Sequence, residues 1–176
     1  MMTSSAGRAF IARQEGCVLH CYLDMAGIPT CCVGHRCLDS DPWWPRVMSA
    51  MALDMASRAA ALRAITFTQA QADALLENDL RVAENCVNAK VIVEIGQNQF
   101  DALVDFTFNE GTNALATSTT LRKLNAGDDL GAASALLMWI KRKDPASGTL
   151  VDDPNLLARR VAERELFLTD DADLTA

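Results

Sequence analysis

Apolar residues recur at helical spacing over most of the chain. Ala72, Leu75, Leu76, Leu80, Ala83 and Val87 fall at i, i+3 and i+4 steps, so they line one stripe of a helix. Thr68 and Gln71 just ahead of them make a capping box. A long amphipathic helix is therefore predicted over about residues 69–93, broken at Gly96 to Asn98. Phe100, Leu103, Val104 and Phe108 open a helix that is apolar on every side, the pattern of a central, buried element. Ser118 starts a short helix ending at Asn125-Ala126-Gly127. Asp128 caps another that carries Leu130, Ala133, Leu136, Leu137 and Trp139. Lys141 to Asp152 reads as a polar loop. Asp153-Pro154 is a fitting N-cap and N1 pair for a last helix.

The period changes near the start of the chain. Residues 3–15 suit a short helix with Ser4 or Ser5 as N-cap, stopped by Gly16 in the left-handed conformation. Val18 to Asp24 then reads as a strand, Met25-Ala26-Gly27 as a turn, and Pro29 to Gly34 as a returning strand. Val18, His20, Tyr22 and Asp24 share one face if the alternation is regular. Residues 38–65 follow: Asp41-Pro42-Trp43-Trp44-Pro45 as a rigid turn, then an Ala- and Met-rich stretch predicted to form one extra helix. That helix is expected to pack its Met face on the hairpin lobe, with a lid or stacking wall using Trp43 or Trp44, or transient membrane-surface contact, as the alternatives. The whole reads as α+β and mainly helical.

Chemistry concentrates in residues 15–35, E-G-C-V-L-H-C-Y-L-D-M-A-G-I-P-T-C-C-V-G-H. Glu15 closes the first helix. The negative end of a helix and partial burial both favour the protonated carboxyl that a general acid needs. The hairpin folds back so that Thr30 lies near Asp24. An acid, a carboxylate and a hydroxyl converging this way suit glycosidic hydrolysis, with a water held by the last two. From spacing alone, however, a Glu and an Asp this far apart are more often solvated surface charges.

The pattern E-G-x-x-L-x-x-Y-x-D-x-x-G-x-x-T-x-C-x-G-H resembles the active-site signature of phage-type lysozymes, the endolysins of glycoside hydrolase family 24. Phe100 to Thr112, Ser118 to Asp128 and Arg159 to Leu168 look like that family's second, third and fourth motifs, in the family's order. The resemblance implies a lysozyme-like fold, a small β-hairpin lobe and a larger helical lobe joined by the helix over 69–93, with the active site between them. It implies cleavage of the β-1,4 bond between N-acetylmuramic acid and N-acetylglucosamine, with Glu15, Asp24 and Thr30 catalytic. It also implies inversion, for which the two carboxyls stand about 6.5–9.5 Å apart. Sugar contacts are expected at Arg36, Phe108, Asn109, Thr120 and Asn155, and His35 takes a hydrogen-bonded structural place at the hairpin base. No metal or organic cofactor is expected. Val33 and Arg36 depart from the family pattern, Cys32 stands where many relatives have Gly, and the link over 38–65 is longer than relatives use. Two rivals remain: a lytic transglycosylase, which needs the Glu but no water-holding pair, and a lysozyme-like protein that binds peptidoglycan without cutting it.

Composition bounds the partners. The net charge of -7 argues against nucleic acid, whose phosphates need clustered Lys and Arg. Arg122-Lys123, Lys141-Arg142-Lys143 and Arg159-Arg160 offer local basic groups, either groove lining or solvated faces. No apolar run is long enough to span a membrane, and the start lacks a secretory h-region. Synthesis in the host cytoplasm as a monomer is expected, with a phage holin, implied by the resemblance, giving access to the wall. Five of the six cysteines, all but Cys86, fall within or just beyond the hairpin. Reduced buried thiols are the favoured reading; disulfides formed in an oxidising periplasm, or a thiol-metal site, are the alternatives. The spacing C-x3-C…C-C-x4-C lacks the paired knuckles of zinc sites. The acidic tail from Thr169 onward is expected to fray.

Overall fold

The computed structural model describes residues 1–170; the tail expectation lies almost wholly outside them. The elements run α1 (Ser5–Glu15), β1 (Val18–Leu23), β2 (Pro29–Cys32), β3 (His35–Arg36), α2 (Trp44–Met51), α3 (Met55–Arg63), α4 (Gln69–Lys90), α5 (Gln97–Glu110), α6 (Thr112–Thr117), α7 (Thr119–Leu124), α8 (Asp129–Leu136), β4 (Lys141–Lys143), β5 (Leu150–Asp152) and α9 (Pro154–Leu168). Helices dominate, with two small antiparallel sheets, ordered β1-β2-β3 and β4-β5. The described residues divide into two compact units: Arg8–Asp79, and Met1–Gly7 together with residues 80–170.

The unit Arg8–Asp79 holds the ribbon. Val18 pairs with Cys32, Tyr22 with Thr30 and Leu23 with Pro29, with an irregularity between Val18 and Tyr22 that breaks the predicted regular alternation. On its other edge β1 is met by the end of the insertion: Cys21 N–H donates to Ile65 O at 3.0 Å, and Phe67 N–H to Leu19 O at 3.0 Å. The insertion is two helices, not one. Asp54 interrupts the Ala-rich stretch because its carboxylate accepts from the N–H groups of Ala56 and Ser57 and caps a new helix. The face turned inward is Val47, Ala50 and Leu62, while Met48 and Met55 are exposed. The expected Met face is therefore met only by Met51, which packs on the core with Trp43 and Trp44. Trp43 sits edge-on to Phe67 at 4.9 Å. Trp43 and Trp44 are both partly buried and packed against this core, which commits at least one face of each to packing rather than to a stacking wall.

In the other unit α5 is the axis. Its residues from Phe100 to Thr107 are all buried, as its all-round apolar character predicts. The N-cap of α1 is Ser4, whose Oγ accepts from Gly7 N–H at 2.9 Å. Asp101 on α5 receives Ser4 N–H at 3.0 Å. A side chain at Gly7 is excluded, since its Cβ would lie 2.4 Å from Asp101 Cγ. Helix α4 stops at Lys90, whose carbonyl accepts from the Asn125 amide at 2.9 Å, while Asn125 Oδ1 takes Ile92 N–H at 3.0 Å. The expected polar loop over 141–152 contains a short hairpin in which Lys141 pairs with Asp152 and Arg142 with Val151.

The expectation for Arg159 and Glu163 was a weak surface pair; the structure buries them. Arg159 donates twice to Asp105, at 3.1 Å from Nε and 2.6 Å from Nη2. Arg160 Nη2 lies 3.1 Å from Glu163 Oε1, and its guanidinium stands over the Phe106 ring at 5.1 Å. Arg159-Arg160 is thus a packing element rather than groove lining or a solvated face. Phe106 also meets Trp139 edge-on at 5.4 Å. Phe106→Ala removes a fully buried ring and this cation seat together. It is expected to cost about 3–5 kcal/mol in urea unfolding.

Candidate active site

Glu15 is the last residue of α1. The chain leaves the helix through Gly16 at φ 76°, the left-handed C′ position the sequence predicts. Glu15 Oε2 lies 4.0 Å from where a Cβ on Gly34 would stand, which puts the carboxylate against the base of the ribbon. Gly34 itself takes φ 67°, a conformation that favours glycine. Glu15 is exposed. The partial burial expected of it is absent.

Asp24 closes the hairpin turn with its own side chain. Its Oδ1 accepts from Ala26 N–H and Ile28 N–H, both at 2.8 Å, the self-capping geometry that makes Asp a turn residue. Its backbone N–H donates to Ile28 O at 2.9 Å, and its carbonyl accepts from Gly27 N–H at 2.9 Å. One carboxylate oxygen is therefore committed to the backbone, which fixes the direction of the other. Thr30 is buried, and its hydroxyl donates to Ile28 O at 3.1 Å. With that proton committed, the Thr30 oxygen offers lone pairs and can accept a hydrogen bond from a water.

Tyr22 stands directly across from Thr30 in the ladder. Burial pushes its phenol above the usual range, and the charges of Asp24 and, more weakly, Glu15 push the same way. Tyr22 therefore sits within electrostatic reach of both carboxylates. The sequence placed Tyr22 on the face of Asp24 but assigned it no site role.

His35 takes the structural place expected of it, with an addition. Its Nδ1 meets Asp79 Oδ2 at 2.8 Å and its Nε2 meets Asp41 Oδ2 at 3.2 Å. The hydrogen bond to Asp79 is the main cause that raises the imidazole to about 9, against the opposing effect of burial. Asp41 is held in turn by Leu38 N–H at 2.7 Å. One buried ring thus ties the ribbon to α4 and to the start of the insertion.

The expected sugar-contact residues fall in both units. Arg36 is exposed on β3 and pairs with Thr30 across the ladder. The others belong to the second unit. Phe108 is half-buried near the end of α5. Asn109 beside it has its side-chain oxygen held by Arg160 Nη2. Thr120 is fully buried on α7, so its hydroxyl lines an interior rather than a surface. Asn155 is exposed in the first turn of α9, its N–H bound to Asp153 Oδ1 at 2.8 Å.

A sequence profile of the family described as phage lysozyme matches residues 12–163, a span that contains Glu15, Asp24, Thr30 and the helices after them. The chain belongs to the phage lysozyme family. The endolysin of Salmonella phage P22 is 38% identical over 170 residues, covering 96% of this chain and 99% of that one. A crystal structure of a P22 lysozyme mutant superposes with TM-score 0.75 at 36% identity, over 96% of this chain and 99% of the other. An endolysin from Escherichia coli O157:H7 phage FAHEc1 superposes with TM-score 0.78 at 32% identity, over 98% and 95%. The lysozyme-like fold expected from the sequence is the fold found. The phage lysozyme is a glycoside hydrolase, a muramidase of the endolysin kind. No helix among the described residues is long and apolar enough to cross a membrane.

Proposed function

We propose that this phage lysozyme cleaves the β-1,4 bond between N-acetylmuramic acid and N-acetylglucosamine of bacterial peptidoglycan, with Glu15, Asp24 and Thr30 as the working groups. The observation that carries the reading is the bonding pattern of the ribbon. Asp24 Oδ1 is fully engaged by two backbone N–H groups and the Thr30 proton by Ile28 O, so Asp24 Oδ2 and the Thr30 lone pairs are left to hold a water. Glu15 protonates the leaving glycosidic oxygen. Asp24 takes a proton from the water as it attacks the anomeric carbon, and Thr30 accepts the water's other hydrogen. Attack by water opposite the leaving group inverts the anomeric configuration. Arg36, exposed across the ladder from Thr30, is proposed as a glycan contact beside the working groups. The chain acts as a monomer in the periplasm after synthesis in the cytoplasm, reaching it through a holin-permeabilised membrane.

Turbidity of purified cell walls tests the activity, and the products test the mechanism. The expected result is clearing with release of reducing-end muramic acid of inverted α configuration. Anhydro ends would instead assign a transglycosylase. Binding to walls without clearing, in reducing buffer, would reduce the protein to a binding module.

A further inference from the structure

The hydrolytic reaction makes no use of the cysteines, yet the fold gathers three of them. Cys21 lies on β1, Cys31 on β2, and Cys37 directly after β3, where its N–H continues the ladder to Pro29 O at 2.9 Å. The three Sγ atoms all lie within 4.8 Å of one another, and Cys21 and Cys37 are 3.8 Å apart. Their exposures are 0%, 0% and 6%. Cys17 is exposed, and Cys86 lies in the other unit.

We propose that Cys21, Cys31 and Cys37 form a three-thiolate site for a thiophilic closed-shell cation, of which cuprous copper is the best fit. Metal–thiolate bonds of about 2.3 Å set sulfurs roughly 4.0 Å apart around a trigonal three-coordinate ion, close to the 3.8 Å already present between Cys21 and Cys37. The remaining gaps close with small side-chain shifts. Thiolate sulfur selects soft cations such as Cu(I) and zinc. No fourth histidine, cysteine or carboxylate joins the group among the described residues. Structural zinc almost always takes four ligands, so the three-sulfur set favours Cu(I).

The surroundings suit a negative centre. The Trp43 indole N–H is buried and in reach of the Cys37 sulfur as a donor, and this tryptophan packs against the cluster that contains all three thiols. The His35 ring, edge-on to Trp43 at 6.1 Å, brings a positive charge when protonated. Binding joins three sulfurs to one ion and releases to solvent the proton of each thiol that carries one; no electrons move. The ion would pin three successive segments of the ribbon that holds Asp24 and Thr30. It would do so from the core side, apart from the reacting groups.

The test uses the full chain, purified with reductant and chelator, freed of both without air, and titrated with Cd(II) as an absorbing probe and with buffered Cu(I) and Zn(II). One equivalent of cadmium–thiolate charge-transfer absorption is expected, lost in Cys21→Ser, Cys31→Ser and Cys37→Ser and kept in Cys17→Ser and Cys86→Ser. Cu(I) should displace cadmium and raise the melting temperature more than Zn(II) does. Should the serine variants unfold, X-ray absorption on cadmium-loaded wild type decides, with three sulfur neighbours expected. No absorption at stoichiometric metal, fewer than three sulfurs, or a signal that depends on Cys17 or Cys86 overturns the proposal, as does a Cys21–Cys37 disulfide in the reduced preparation. The Glu15→Gln variant should bind metal as wild type does, so this result stands or falls apart from the lysis assay.

Discussion

Glu15→Gln is expected to reduce wall clearing by about 10²–10⁴-fold, the usual worth of a positioned acid or base. Glutamine keeps the shape of the side chain and the end of α1, but it has no proton to give the leaving oxygen. Because Glu15 is exposed, the melting temperature of the variant should match wild type, which separates lost chemistry from lost fold. Asp24→Asn is the companion test. The asparagine Oδ1 can still accept from Ala26 and Ile28, so the turn should survive while the base is removed. Wild-type clearing by the Glu15 variant would remove the acid from the mechanism, whatever the family membership.

Asp79→Asn should destabilise the fold in a way that depends on pH. His35 is 6% exposed and held by Asp79 at 2.8 Å, although Asp79 keeps 26% of its side chain in solvent, so its loss is expected to cost about 2–3 kcal/mol, the larger share of the clamp. Linkage sets its pH dependence. The folded state holds the His35 proton up to about 9, against an ordinary 6.5, so the folded state binds more protons between those values. A raised folded value means the stabilisation is complete below the ordinary value and disappears as pH rises through the folded one. Each tenfold gain in proton affinity on folding is worth about 1.4 kcal/mol, so the clamp on the imidazolium contributes roughly 3 kcal/mol. Thermal unfolding with chelator and reductant present should show the gap between wild type and Asp79→Asn widest below about pH 6.5 and nearly closed above about pH 9. A gap that does not change with pH would show that the imidazolium is not what holds the two elements together. Asp41, at 3.2 Å on the other ring nitrogen, should leave Asp79→Asn some residual slope that the double change with Asp41→Asn removes.

Much of the molecule was legible because its signals are local. The stop at Gly16, the cap at Ser4 and the self-bonded turn at Asp24 each depend on residues within a few positions. The buried α5 was legible because its apolar residues surround the helix. The errors share a different cause. The insertion broke into two helices at Asp54, whose capping strength outweighed an Ala-rich run of high helix propensity. The Met face turned mostly to solvent because Val47, Ala50 and Leu62 filled the inner side first. Arg159 and Glu163, a helix-surface pair by spacing, became interior because Asp105, on another helix, faces them.

The residues alone determined the family and the helical architecture with its small ribbon, and they named the three side chains proposed to cut the glycan. These follow from capping, alternation, periodicity and a motif carried within one stretch of chain. Tertiary structure alone decided that Glu15 is exposed, that His35 is clamped by Asp41 and Asp79, that Trp43 packs inward, and that Cys21, Cys31 and Cys37 meet. Each of these depends on segments far apart in the chain being brought to within a few ångströms, and distance in space is a property that spacing along the chain does not encode.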